Sequence, residues 1–243
     1  MDLGLKDRVY VVTGGSRGLG RACVDALVAD GARVVVSGRS AESLAVVRQA
    51  LGESVATVVA DNADPGAAAV LVRTARDTFG RLDGALVSVG GPPAGTVAEA
   101  TDEQWRDAFE SVFLGAVRLA REVAAALTDG GSIAFVLSSS VKSPILELGI
   151  SNGLRPGLAM TAKALADEYG PRGIRVNGLL PGRLLTDRMR ETGLGDGEPT
   201  GIPLRRYGRP AEFGSVAAFL LSPASSYVSG AMVPVDGGML RSL

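Results

Sequence analysis

Residues 13–20, Thr13-Gly14-Gly15-Ser16-Arg17-Gly18-Leu19-Gly20, have the types and spacing that hold a phosphate group. They follow a short apolar run at 9–12 and open onto a helical pattern near Arg21. A helix N-terminus offers unpaired backbone N–H groups and the positive end of its dipole, and both favour an anion. Glycines let the chain turn tightly and approach a pyrophosphate closely. The spacing is T-G-x-x-x-G-x-G rather than G-x-G-x-x-G, so the glycines alone are weak evidence. Their position carries more weight: a doubly wound sheet binds its dinucleotide at the first strand–helix junction. Gly14, Ser16, Arg17, Gly18, Leu19 and Gly20 are therefore expected to line a dinucleotide.

The second apolar run ends in Ser37-Gly38-Arg39-Ser40. An acidic residue at this point would bind a ribose 2′-hydroxyl, whereas arginine suits a 2′-phosphate. Arg39, with Arg17 in the neighbouring loop, points to NADP(H) over NAD(H); the competing reading is two solvated surface arginines. Asp61 and Asn62, just past the third run, are placed for the adenine edge.

Other chemistries are poorly supplied. The chain has no histidine and one cysteine, so no metal site and no disulfide framework are expected. Cys23 reads as a small buried hydrophobe, and its isolation fits a reducing, cytoplasmic setting. Lys+Arg 25 against Asp+Glu 26, with no basic run, gives nucleic acid no footprint. Asp2, Lys6, Asp7 and Arg8 open the chain, so no signal peptide is expected. Residues 213–235 carry no charge, but Pro223 and neighbouring serines break them into helix, loop and strand, so no membrane span is expected.

The elements that must position these residues alternate along the 243 residues. Strands are expected near 9–12, 33–37, 55–59, 82–89, 132–137, 174–180 and 232–235, and helices near 18–30, 41–51, 65–79, 102–127, 154–169 and 210–221. The strands are continuous apolar runs, as in a sheet covered on both faces. Strand–helix alternation with right-handed crossovers implies a single α/β domain around an open parallel sheet. The long helix near 102–127 is capped by Asp102, or by Thr101 in a capping box with Gln104. A glycine-rich stretch, about 190–205, fits neither element; on the carboxyl edge of the sheet it reads as a lid.

With these pieces assembled, the chain resembles the short-chain dehydrogenase/reductase family over its whole length, and its 3-oxoacyl-carrier-protein-reductase-like members in particular. The matching residues are Thr13–Gly20, Asp61, Gly90-Gly91, Arg175-Val176-Asn177-Gly178, Pro181-Gly182 with Thr186, Gly208-Arg209-Pro210, and Tyr227-Val228-Ser229-Gly230 leading to Val235-Asp236-Gly237-Gly238. The resemblance implies a Rossmann-type, doubly wound sheet of seven parallel strands, a nicotinamide cofactor and a homo-oligomer, usually a tetramer. It adds Gly90, Pro181, Gly182 and Thr186 to the cofactor contacts.

The chemistry departs from that family. Its members use a tyrosine, a lysine four residues later, an earlier serine and an asparagine on the preceding long helix. The tail Lys163-Ala164-Leu165-Ala166 sets the register here, which puts Ser151 at the tyrosine position, Arg155 at the lysine position and Ser138 at the serine position. Val112 stands where the asparagine would be. A serine hydroxyl is far less acidic than a phenol, and arginine stays protonated, so this pair cannot repeat the tyrosine–lysine proton transfer. Lys142, in the loop after the serines, is the first candidate for a replacement cation or acid; Tyr207 and Asn152 are further candidates, and Asn152 also reads as a helix N-cap.

Three functions follow. The first is an NADP(H)-dependent oxidoreductase of a small carbonyl or hydroxyl compound, with Ser138, Ser151, Arg155 and Lys142 as its catalytic group. The second is an inactive NADP(H)-binding sensor or partner subunit. The third is a non-redox lyase, dehydratase or isomerase, against which Arg17 and Arg39 argue.

Overall fold

A computed structural model of the chain describes residues 2–128, 130–187, 189 and 197–242. Among them seven strands form one parallel sheet in the order β3-β2-β1-β4-β5-β6-β7: β1 Val9–Val12, β2 Arg33–Gly38, β3 Val55–Val59, β4 Gly84–Val87, β5 Gly131–Val136, β6 Ile174–Pro181 and β7 Met232–Val235. The order reverses between β1 and β4, and that gap on the carboxyl edge is where such sheets take ligands.

Alternation along β1 shows why the strands read as unbroken apolar runs. Val9 and Val11 face one buried layer; Tyr10 and Val12 face the other. The first layer is covered by α3 (Ala67–Phe79), α5 (Gly115–Ala126) and α6 (Gly149–Tyr169). The second is covered by α1 (Gly18–Ala29), α2 (Ala41–Leu51) and α7 (Pro210–Leu221).

Three elements differ in part from the sequence reading. Strand β4 is shorter than 82–89 because its flanks bond elsewhere. Asp83 accepts from the Val9 N–H and pairs with Arg8 and Arg81, while the Ser88 N–H donates to Thr13 Oγ1 at 3.0 Å. The long helix starts at Asp102 as α4 (Asp102–Ala108), and of the two caps offered by the sequence it is Thr101, in its capping box with Gln104, that closes the first turn. It then runs through a π turn, Phe109–Leu114, before continuing as α5. The extra residue in that turn rotates everything after it by about 100°, and Gly115 then sits flush against the main-chain carbonyl of Asn62. Helix α6 begins at Gly149 rather than Leu154, although Pro156 lies inside it. Packing secures the added turn: Ile150 and Leu154 bury themselves against Ala108 and Val112.

Candidate active site

The turn between β1 and α1 is pinned from below. Thr13 Oγ1 donates to the Ser88 carbonyl at 2.8 Å, and the Gly15 N–H donates to the Ser37 carbonyl. Gly14 and Gly18 both take positive φ, at 57° and 56°, a region open to glycine at little cost. A Cβ on Gly20 would run into the Gly14 carbonyl, so the turn closes only with glycine there. Helix α1 then starts with no side-chain cap and no acidic residue in its first turn. Its first N–H groups lack side-chain partners, and an anion would complete them.

The arginine pair follows from the same turn. Ser16 lies against Gly38, so the two loops touch. Arg17 and Arg39 each follow one residue later; both are exposed, and neither pairs with a carboxylate among the described residues. Thr186, past β6, faces Gly18 from across the cleft. Asp61 spends part of its carboxylate on the Ala63 N–H, and Asn62 is half-buried behind it. Gly90 is exposed with open space where a side chain would be, while Pro181 and Gly182 end β6 and Gly182 packs on Asp236. The predicted cofactor residues thus come together along one edge, and their geometry fits a dinucleotide: a bare helix start, glycine-only turns and two unpaired cations.

The residues predicted to do chemistry lie near the tips of β4 and β5. Ser138 follows β5 and accepts from the Ser140 N–H at 3.1 Å, opening a short turn, Ser139–Val141, against which α6 packs. Ser151 and Arg155 are one helical turn apart on the buried face of α6. Arg155 is only 4% exposed. Its Nη1 donates to the Val136 carbonyl at 2.7 Å and its Nη2 reaches the Val89 carbonyl at 3.4 Å. No carboxylate pairs with it among the described residues. Burial pushes its pKa down to about 10, so it remains a cation at neutral pH. Ser140 Oγ is buried without a hydrogen-bond partner.

Other candidates sit further out. Lys142 is exposed, on the solvent side of the turn. Tyr207 is half-buried and its hydroxyl donates to the Glu198 carbonyl at 3.4 Å. Asn152 is neither a site donor nor an N-cap: its amide accepts from the Ile145 N–H and donates to the Ile145 carbonyl, closing the loop before α6. Val112 is core, packed with Ile150 and Leu154. Of the stretch about 190–205, residues 190–196 lie outside the described residues; Ile202 is buried and the Leu204 N–H donates to the Gly237 carbonyl. Two contacts had no signal in the sequence. The Val89 and Val136 carbonyls are main-chain groups that any residue would supply. The parallel bridge between Gly95 and Leu148, which joins the Gly90–Gly95 loop to the start of α6, pairs segments far apart in the chain.

A family model described as enoyl-(acyl carrier protein) reductase matches residues 14–240. The chain belongs to the short-chain dehydrogenase/reductase family. It is similar to the 3-oxoacyl-[acyl-carrier-protein] reductase FabG of Salmonella typhimurium, with 30% identity covering 98% of this chain and 99% of that one. Its fold matches the L-sorbose reductase of Gluconobacter frateurii, solved with NADPH and L-sorbose, at a TM-score of 0.93 and 30% identity over 100% of both chains. It also matches a short-chain oxidoreductase of Pseudomonas aeruginosa containing an atypical catalytic center, at a TM-score of 0.92 and 28% identity over 100% of both. As a member of this family the short-chain dehydrogenase/reductase described here is an oxidoreductase. No helix among its described residues is long and apolar enough to cross a membrane.

Proposed function

We propose that this protein is an NADP(H)-dependent oxidoreductase of a small carbonyl or hydroxyl compound, working through a rebuilt site. The observation that carries the reading is the uncapped start of α1 beside the unpaired Arg17 and Arg39. A diphosphate would complete the helix start, and a 2′-phosphate would supply the counter-charge of the arginines. Gly14, Ser16, Gly18, Leu19, Gly20, Asp61, Asn62, Gly90, Pro181, Gly182 and Thr186 would hold the rest of the dinucleotide, whose nicotinamide supplies or accepts hydride. NADPH in a structural neighbour supports the choice. Ser138, Ser151 and Arg155 orient and polarise the acceptor oxygen, and the proton comes from Lys142 or water. The stretch about 190–205 acts as a lid. Exposed Phe109 and Met160 favour a homo-oligomer, and the lone buried Cys23 fits a cytoplasmic protein.

The test is a titration with NADPH and with NADH, followed by nicotinamide fluorescence. NADPH binding well ahead of NADH supports the reading; absence of binding by either removes it. A second reading, a binding subunit without turnover, draws on the two carbonyl bonds of Arg155, which would also suit a structural strut. Tight NADPH binding with no oxidation across a broad carbonyl panel would favour it.

A further inference from the structure

We propose that Asn152 is a positioning residue for the substrate: it fixes the loops that follow β4 and β5 as one preformed wall on the carboxyl edge of the sheet. This rests on the NADP(H)-dependent oxidoreductase reading above.

The first ground is the clasp itself. Asn152 Nδ2 donates to the Ile145 carbonyl at 2.7 Å, and Asn152 Oδ1 accepts from the Ile145 N–H at 3.0 Å. A side-chain amide carries both a donor and an acceptor, so it engages the two main-chain groups of one residue as a neighbouring strand would. The Leu148 N–H adds a second bond to the same carbonyl, at 3.0 Å. Asn152 stands about 100° round the helix from Ser151. It therefore holds the loop without occupying the buried face that carries Ser151 and Arg155.

The second ground is that the clasped loop is joined to its neighbour. The Gly95 N–H donates to the Glu147 carbonyl and the Gly149 N–H donates to the Gly95 carbonyl, both at 2.9 Å, on either side of Leu148. A Cβ on Gly149 would lie 2.6 Å from the Val97 nitrogen, so the two main chains touch there. Gly95 has a φ of 146°, a conformation that favours glycine. The other end of the stretch 89–95 is held by Arg155 through the Val89 carbonyl. Both ends are thus fastened to α6 or to the turn leading into it, and Pro92 and Pro93 fix φ between them.

Substrates of such sheets lie against the loops on this edge, and loops of this kind are ordinarily mobile. Ordering them as a substrate binds costs chain entropy; ordering them beforehand removes that cost from the binding step. Asn152 acts through the wall rather than on the reacting atoms, so its loss weakens substrate binding and leaves the chemical step, a change in KM rather than in kcat. Aspartate at this position isolates the part played by the amide. A carboxylate accepts from the Ile145 N–H but has no proton for the Ile145 carbonyl, whereas a protonated carboxyl offers one donor and one acceptor, as the amide does. The facing carbonyl oxygen disfavours the charged form.

The test has two parts. Amide hydrogen exchange is followed on peptides covering 9–20, 90–97 and 143–149. Asn152→Leu is expected to speed exchange about tenfold in both 90–97 and 143–149, the worth of about one net hydrogen bond, and to leave 9–20 unchanged. Kinetics then use NADPH and the most rapidly reduced member of a panel of small ketones. Asn152→Leu should raise KM about tenfold with kcat within about twofold of wild type. Asn152→Asp should match it at pH 7 and recover part of the lost KM at pH 5, each value taken as a ratio to wild type at that pH; it decides alone if Asn152→Leu fails to fold. Faster exchange confined to 143–149 overturns the single wall. An unchanged KM, a fall in kcat alone, or a ratio for Asn152→Asp that does not move with pH overturns the positioning role. Failure of wild type to bind NADPH, or to reduce any ketone, removes the oxidoreductase reading, while the exchange result still decides whether Asn152 holds the wall.

Discussion

The two halves of the cleft are built on different principles. At the β1–α1 turn the proposed recognition rests mostly on the main chain, on positive-φ glycines and a bare helix start, with two exposed arginines beside it. At the β5–α6 end the proposed site rests on side chains: Ser151 and Arg155 are buried, at the positions where the family resemblance places its tyrosine and lysine. The first arrangement tolerates little substitution, because a Cβ on Gly14, Gly15 or Gly20 has nowhere to go. The second can exchange its functional groups while the backbone stays, because Ile150, Leu154, Leu158 and the Asn152 clasp anchor α6 independently of Ser151 and Arg155. On the proposed reading, the fold keeps its cofactor cradle while its chemistry changes.

That contrast breaks at measurable points. Gly20→Ala should be the most damaging change, because its Cβ meets the Gly14 carbonyl. We expect overpacking to cost about 1–3 kcal/mol of stability, and NADPH and NADH affinity to fall together by about a hundredfold as phosphate hydrogen bonds are lost. Urea denaturation and fluorescence titration check both. Arg39→Ala should weaken NADPH by about tenfold, the worth of one charge-assisted hydrogen bond, and leave NADH unchanged. Equal losses for the two cofactors would remove Arg39 from the 2′-phosphate.

At the other end, Arg155→Met should leave stability within about 1–2 kcal/mol of wild type despite full burial. Removing a desolvated cation offsets the orphaning of the Val89 and Val136 carbonyls. The folded pKa lies below the ordinary arginine value, so the penalty for the charge is complete below about pH 10 and is relieved as pH rises further. A loss of stability several-fold larger in urea would make Arg155 a strut rather than a site residue.

The smallest effect belongs outside both halves. Glu212 accepts from Arg206 and from the Arg209 N–H at the start of α7, and the Arg206 bond foremost holds its pKa down to about 2. A depressed carboxylate stabilises above its ordinary pKa and loses that contribution as pH falls. The Tm gap between wild type and Glu212→Gln should be small at neutral pH and close between about pH 4.5 and 2.

Much of this molecule is written locally. Continuous apolar runs announce buried parallel strands, and the Thr13–Gly20 turn carries its own geometry, since positive φ and close approach select glycine wherever the chain needs them. The Thr101–Gln104 cap is local in the same way. The sheet order and the place of the cofactor edge follow from that punctuation and the handedness of crossovers. What only tertiary structure decides is set by contacts between segments far apart in sequence. The start of α6 depends on Ile150 and Leu154 meeting Ala108 and Val112. The π turn brings Gly115 against Asn62. The environment of Arg155 depends on carbonyls from two strand ends. Sequence determines that an arginine stands there; only the packed fold removes its water and leaves its charge facing two main-chain oxygens, with no carboxylate against it among the described residues.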